Sequence, residues 1–117
     1  MNSEKLCKLV VNSLEDVKAK DIVILDVRKM TSVTDYMIVA SGTSIRHVKA
    51  LADAAEERSR EAGHRPTGVE GGEGSEWVLL DLQDVLVHVM LPRAREFYNL
   101  EKLWSPSLAT DLAVKDR

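Results

Sequence analysis

Fifteen consecutive residues, "EWVLLDLQDVLVHVM" (Glu76–Met90), restrict this chain more than any other stretch. Successive side chains of a β-strand point to opposite faces, so Trp77, Leu79 and Asp81 share one face and Val78, Leu80 and Leu82 the other. A turn is expected at Gln83-Asp84. Beyond it, Val85, Val87 and Val89 stand opposite Leu86, His88 and Met90. Both faces of this hairpin are largely apolar, so its strands belong in a sheet that is covered on both sides.

The rest of the chain supplies such a sheet and part of its cover. Ser3 is placed to cap a first helix, and Leu6, Leu9, Val10, Leu14 and Val17 repeat at helical spacing as far as about Lys20. "IVILDV" (Ile22–Val27) and "DYMIVAS" (Asp35–Ser41) are short apolar runs rich in β-branched residues and read as strands. Their connector is too short for a parallel crossover, which predicts an antiparallel pair. Ser44 caps a second helix that runs to about Ala62, and Gly63 stands where a helix stops. Its inner face of Val48, Leu51, Ala52 and Ala55 is mostly small and suits close packing on a sheet. A third strand is expected around Arg65–Val69, joined to the second by a right-handed crossover through the helix. "EGGEGS" (Glu70–Ser75) reads as a loop before the hairpin. The fold class is α/β, a single mixed sheet of about five strands with packed helices.

Two helices leave the second sheet face short of cover. The segment "REFYNLEKLW" (Arg95–Trp104) holds three of the five aromatic residues of the chain. Phe97, Leu100 and Trp104 fall at helical spacing, and the segment is expected to fold back over the sheet. Pro106 follows, so residues 1–104 read as one domain and residues 105–117 as a flexible tail.

Charge and composition narrow the function classes. No apolar run reaches the roughly 20 residues of a membrane span, and the N-terminus lacks the pattern of a signal peptide. Cys7 is the only cysteine and falls on the apolar side of the first helix, so neither an internal disulfide nor a cysteine metal cluster is expected. These features point to the cytoplasm. The formal net charge is −3, which argues against free nucleic acid as the main partner. From Pro66 to Pro92 there is no Lys or Arg, while Glu70, Glu73, Glu76, Asp81 and Asp84 accumulate. That surface suits a basic partner.

Candidate chemistry is sparse. Ser44 opens a helix with Arg46, His47 and Lys49 in its first turns, a possible contact for an anion or an acidic partner group. No glycine-rich phosphate motif accompanies it, and capping by Ser44 with solvated charges is the simpler reading. Asp26, Asp35, Asp81 and Asp84 flank strands or a turn, where aspartate usually serves local hydrogen bonding. His47, His64 and His88 lack metal-ligand spacing, and His88 reads as a partly buried, hydrogen-bonded side chain. Neither a nucleophile elbow nor a P-loop occurs. No catalytic residue, metal or cofactor is assigned.

The elements "DIVILDV", "TDYMIVASGTSIRHV", "GVEG", "WVLLDLQDVLVHVM" and "FYNLEKLW", in this order across residues 3–104, resemble the Iojap family, whose bacterial members are the ribosomal silencing factors. Gln83 departs from the glycine usual in that family's hairpin turn. The resemblance implies a mixed α/β fold distantly like that of nucleotidyltransferases, without known catalysis. It also implies a homodimer that binds the large ribosomal subunit through its protein fourteen (the L-fourteen family). Occupying that protein blocks docking of the small subunit and represses translation when nutrients are scarce. Trp77, Leu80, Asp81, Leu82, Asp84, Tyr98 and Trp104 match the family pattern and are the contact candidates. The rival from another class is a nucleotidyltransferase-like, nucleotide-handling enzyme using Ser44, Arg46 and the acids. A dimeric adaptor unrelated to ribosomes is a third reading.

Overall fold

The hairpin takes the centre of the molecule because both of its faces are apolar. In the computed structural model, which describes residues 2–98, Trp77–Asp81 (β4) and Val85–Met90 (β5) pair antiparallel, with Leu80 opposite Val87. The first strands, Lys20–Asp26 (β1) and Tyr36–Ser41 (β2), also pair antiparallel, as their short connector requires. β2 then lies parallel to β5, with Ile38 opposite Val87. A three-residue strand, Gly68–Glu70 (β3), completes a five-stranded mixed sheet of order β1-β2-β5-β4-β3.

Two helices, Ser3–Asp16 (α1) and Ile45–Glu61 (α2), cover one face. Leu6, Val10 and Leu14 of α1 and Val48, Leu51 and Ala55 of α2 meet Ile38, Val78, Leu80, Val87 and Val89 of the sheet. The second face carries a smaller cluster of Leu25, Val27, Met37, Val39 and Met90, joined by Ala94 of a short helix, Pro92–Tyr98 (α3). Bidentate bonds from Arg93 to Glu76, at 2.8 and 2.9 Å, tie α3 to the start of β4. A 2.9 Å bond from Arg95 to the hydroxyl of the buried Ser41 ties it to the end of β2.

Several boundaries differ from those expected. Asn2, not Ser3, caps α1, and its Oδ1 accepts the Lys5 N–H at 2.8 Å. The helix ends at Asp16 rather than near Lys20, because Lys18 turns into the left-handed region (φ 64°) and Lys20 already belongs to β1. β3 begins at Gly68 instead of Arg65, and it runs parallel to β2 with β4 as its neighbour. The connection through α2 therefore spans two strands. β5, apolar on both faces, takes the interior place beside β2, while β3, with Gly68 and Glu70, is left at the rim. Of the C-terminal cover, Leu100 and Trp104 lie outside the described residues. Phe97 and Tyr98 are described only as the backbone end of α3.

The start of α2 is held more firmly than a single cap would hold it. The Ser44 hydroxyl accepts the His47 N–H at 3.0 Å. The His47 ring then links two elements. Its Nδ1 accepts the Thr43 N–H at 2.8 Å, and its Nε2 lies 2.7 Å from the Val17 carbonyl at the end of α1. A proton on Nε2 satisfies both contacts. Gly63, with φ 88°, ends the helix one residue past its C-cap.

Two stability tests come from this framework. His88 is 6% exposed, and burial pushes its pKa from 6.5 down to about 4. Above pH 6.5 the ring is neutral in both states and the fold has its full stability. As pH falls from 6.5 towards 4, the unfolded chain takes up the proton first, so stability is lost across that window. The difference in unfolding free energy between the parent and His88→Gln should shift by up to on the order of 3 kcal/mol between pH 7 and pH 4 in urea titrations. A constant difference across that range would remove the linkage. Gln83 holds φ 71°, the left-handed conformation that glycine adopts without a Cβ penalty. Gln83→Gly should therefore stabilise the protein by roughly 0.5–1 kcal/mol, whereas Gln83→Val should destabilise it, read from the same denaturation midpoints.

Candidate partner-binding face

Strand parity sorts the candidate contacts into two groups. Val78, Leu80 and Leu82 point under the helices, where Leu80 is 1% and Leu82 4% exposed. Those two leucines are core residues of this fold and support the hairpin from behind. Trp77, Leu79 and Asp81 point to the other face and are all partly buried. Leu86 of β5, also partly buried, lies opposite Asp81 in the β4–β5 register. The result is a strip of accessible apolar surface along the outer half of the second sheet face.

Trp77 is oriented by its neighbour. Its indole N–H donates to Nδ1 of His88 at 3.0 Å, and the two rings lie 5.6 Å apart at 47°. That bond requires the His88 tautomer with its proton on Nε2. Keeping His88 neutral therefore keeps Nδ1 available as acceptor. A protonated ring could not receive the indole hydrogen.

The acids sit around this strip with unequal freedom. Asp81 turns one carboxylate oxygen onto the Gln83 N–H at 2.8 Å and so shapes the hairpin tip. Asp84 is exposed, and its backbone carbonyl accepts the N–H groups of Asp35 and Tyr36 at 2.9 and 3.1 Å. Glu76 is engaged by Arg93, which holds its carboxyl below the usual range through their hydrogen bonds. Glu70, on the rim strand and exposed, lies opposite Leu79. Leu79, Leu86 and Glu70 were not among the contact candidates of the sequence. Their signal was alternation: they share the parity of Trp77 in the paired strands.

Ser44 and Arg46 lie elsewhere, at the start of α2. The Ser44 hydroxyl is committed to the cap, while Lys49 pairs with Asp53 at 2.7 Å. Arg46 is exposed beside a shallow cavity shared with Ile45, Lys49, Glu73 and Gly74. Among the described residues, no group of three or more His, Cys, Asp or Glu side chains is placed to hold a metal ion. Cys7 lies on the buried face of α1, and burial pushes its thiol up to about 11, so it behaves as a small apolar core residue. No described helix is long and apolar enough to cross a membrane. Tyr98 contributes only its backbone to the description, and Trp104 lies outside it.

Comparison with known proteins agrees with this architecture. The profile of the RsfS family, described as "Ribosomal silencing factor during starvation", matches residues 1–117. The chain is 48% identical over 116 residues to the ribosomal silencing factor RsfS of Chromobacterium violaceum, covering 97% of this chain and 95% of that protein. It is 37% identical over 112 residues to the RsfS of Bacillus subtilis, covering 96% and 95% of the two chains. A crystal structure of a Chromobacterium violaceum protein superposes with a TM-score of 0.87 at 50% identity, covering 89% of this chain and 87% of that one. The chain belongs to the RsfS family of ribosomal silencing factors.

Proposed function

We propose that this protein binds the large ribosomal subunit through its protein of the L-fourteen family and blocks docking of the small subunit by occupying that surface. It thereby represses translation when nutrients are limiting. Membership of the silencing-factor family supports the ribosomal target. The observation that carries the surface assignment is the partly buried strip of Trp77, Leu79 and Leu86 on the second sheet face, bordered by acids. Aromatic anchors surrounded by a polar rim are the usual anatomy of a protein interface. An acidic rim suits a basic ribosomal protein better than bare RNA.

In this reading Trp77, Asp81 and Asp84 contact the partner directly. Leu80 and Leu82 act through the core, and Tyr98 and Trp104 extend the contact from the C-terminal side. Steric exclusion needs no catalytic residue and no cofactor. An interface of ordinary size, about 1,600 Å² in total, suffices. Residues 1–104 carry this activity, with residues 105–117 as a tail. The protein acts in the cytoplasm, where assembled subunits meet. A homodimer belongs to the same proposal. Among the described residues the outer edge of β1 has no strand partner, and Ile24 there is 48% exposed, which supports an edge-to-edge contact.

Co-sedimentation with isolated large subunits, followed by addition of small subunits, tests the central step. Bound protein should reduce the yield of joined ribosomes in proportion to occupancy. Full joining at saturating occupancy would end the exclusion reading. Charge also gives a separable prediction. Opposed patches chiefly raise association rates, and salt screens them over about 8 Å at physiological strength. A folded Asp81→Lys, Asp84→Lys double variant should associate more slowly with large subunits and lose much of its salt dependence, with less change in dissociation. Association rates that match the parent at every salt concentration would exclude steering by this hairpin.

A further inference from the structure

The second sheet face holds a cavity of about 300 Å³ at its β3–β4 rim, lined by Glu70, Gly71, Trp77 and Leu79. That volume is at the lower end of ligand-sized cavities and is too small for an element of secondary structure. Its geometry follows from the register. Glu70 lies opposite Leu79, and Trp77 precedes Leu79 by two positions on the same face. Gly71 closes the rim tightly: with φ 85°, a Cβ there would fall 2.4 Å from the Trp77 carbonyl oxygen. The chain can draw this close to Trp77 only because position 71 has no side chain.

The cavity is chemically divided. Its floor is apolar, made by Leu79 and by an indole whose N–H is already turned to His88. Its rim carries one carboxylate, that of Glu70, which has no hydrogen-bond or ion-pair partner among the described residues. The neighbouring acids differ: Glu76 is tied to Arg93, and Asp81 turns to the Gln83 N–H. No Lys or Arg lies between Pro66 and Pro92 to answer Glu70 locally, and His88 is buried and neutral. An aromatic face beside an unanswered carboxylate is complementary to a cation on an aliphatic stem.

We propose that this cavity receives a single basic side chain, arginine or lysine, from the ribosomal partner. Its stem lies over Leu79, and its cationic head is shared between the Trp77 face and the Glu70 carboxylate. This rests on the reading that the second sheet face meets the large subunit, and it names the chemistry recognised there. The site thus adds specificity: a neutral or acidic side chain would leave Glu70 unpaired and lose the attraction to the ring.

The test uses the full chain and isolated large subunits. Glu70→Gln and Trp77→Leu should each weaken binding by about tenfold. Both groups hold the same cation, so the double variant should lose little more than the weaker single variant. Losses that multiply to about a hundredfold would mean two independent contacts and overturn the proposal. Binding of either folded single variant at parental affinity would overturn it as well. A photo-crosslinker at position 68 separates this outcome from failure of the wider reading. Gly68 lies on the same rim, and a Cβ there meets nothing closer than 4.0 Å. Crosslinking from position 68 together with parental affinity of the single variants would leave the face in contact but the cavity without its cation. Binding without any such crosslink would remove the face itself, and the proposal with it. Carbodiimide coupling of Glu70 to a partner amine identifies the cation as lysine, whereas weakened binding of Glu70→Gln without coupling identifies arginine. Both results support the site.

Discussion

The parallel pairing of β2 with β5 holds the rest of this structure in place. Six residue pairs in unbroken register, from Tyr36–Val85 to Ser41–Met90, join two strands that are apolar on both faces. Parallel strands are stable where both faces are buried, so this contact requires a layer on each side. α1 and α2 form one layer. The pairing also joins the two antiparallel units, β1–β2 and the β4–β5 hairpin, into one sheet. Without it they would be a lone two-stranded hairpin, too small to be stable, and a separate β3–β4–β5 unit.

Polar groups at the ends of the elements then set orientation. His47 couples the start of α2 to the end of α1 by bonding Thr43 and Val17 with its two ring nitrogens. At the same end of the sheet, Arg93 and Arg95 fasten α3 to the start of β4 and the end of β2. Among the described residues, no buried side-chain nitrogen or oxygen lacks a hydrogen-bond partner. These contacts place basic side chains in structural service. That is why the cluster at the start of α2, though rich in cations, reads as architecture: His47 is a bracket and Lys49 an intrahelical partner of Asp53.

The hairpin builds the core with one set of alternate residues and the proposed contact face with the other. Leu80 and Leu82 build the core, while Trp77, Leu79 and Asp81 face outward from the same strand and its turn. A partner that reads Trp77 therefore reads a ring fixed from beneath by β5, through His88. Such preorganisation reduces the ordering lost on binding. It also gives the buried, neutral histidine a role beside the proposed contact residue.

Much of the fold was legible because it follows from local periodicity. The alternation of residues 76–90, the helical spacing of Leu6, Val10 and Leu14, and the cap at Ser44 each specify an element without reference to the remainder. Short connectors likewise specified the antiparallel pairs. Of the candidate contacts, Trp77, Asp81 and Asp84 came from composition and family resemblance, but Leu80 and Leu82 were grouped with them although their parity differs and they are buried in the core. The sequence does not state which apolar face of a two-faced strand the helices will cover. Nor could local signals tell that β5 displaces β3 from the side of β2, because that choice compares burial between strands 15 or more positions apart in the chain. The cavity beside Glu70 has the same origin: it exists only once the rim strand, the glycine at 71 and the indole meet across the sheet. Local residue types and spacings determined the elements. Competition for burial among them, a property of the whole chain, decided their order, their covered face and the surface left for a partner.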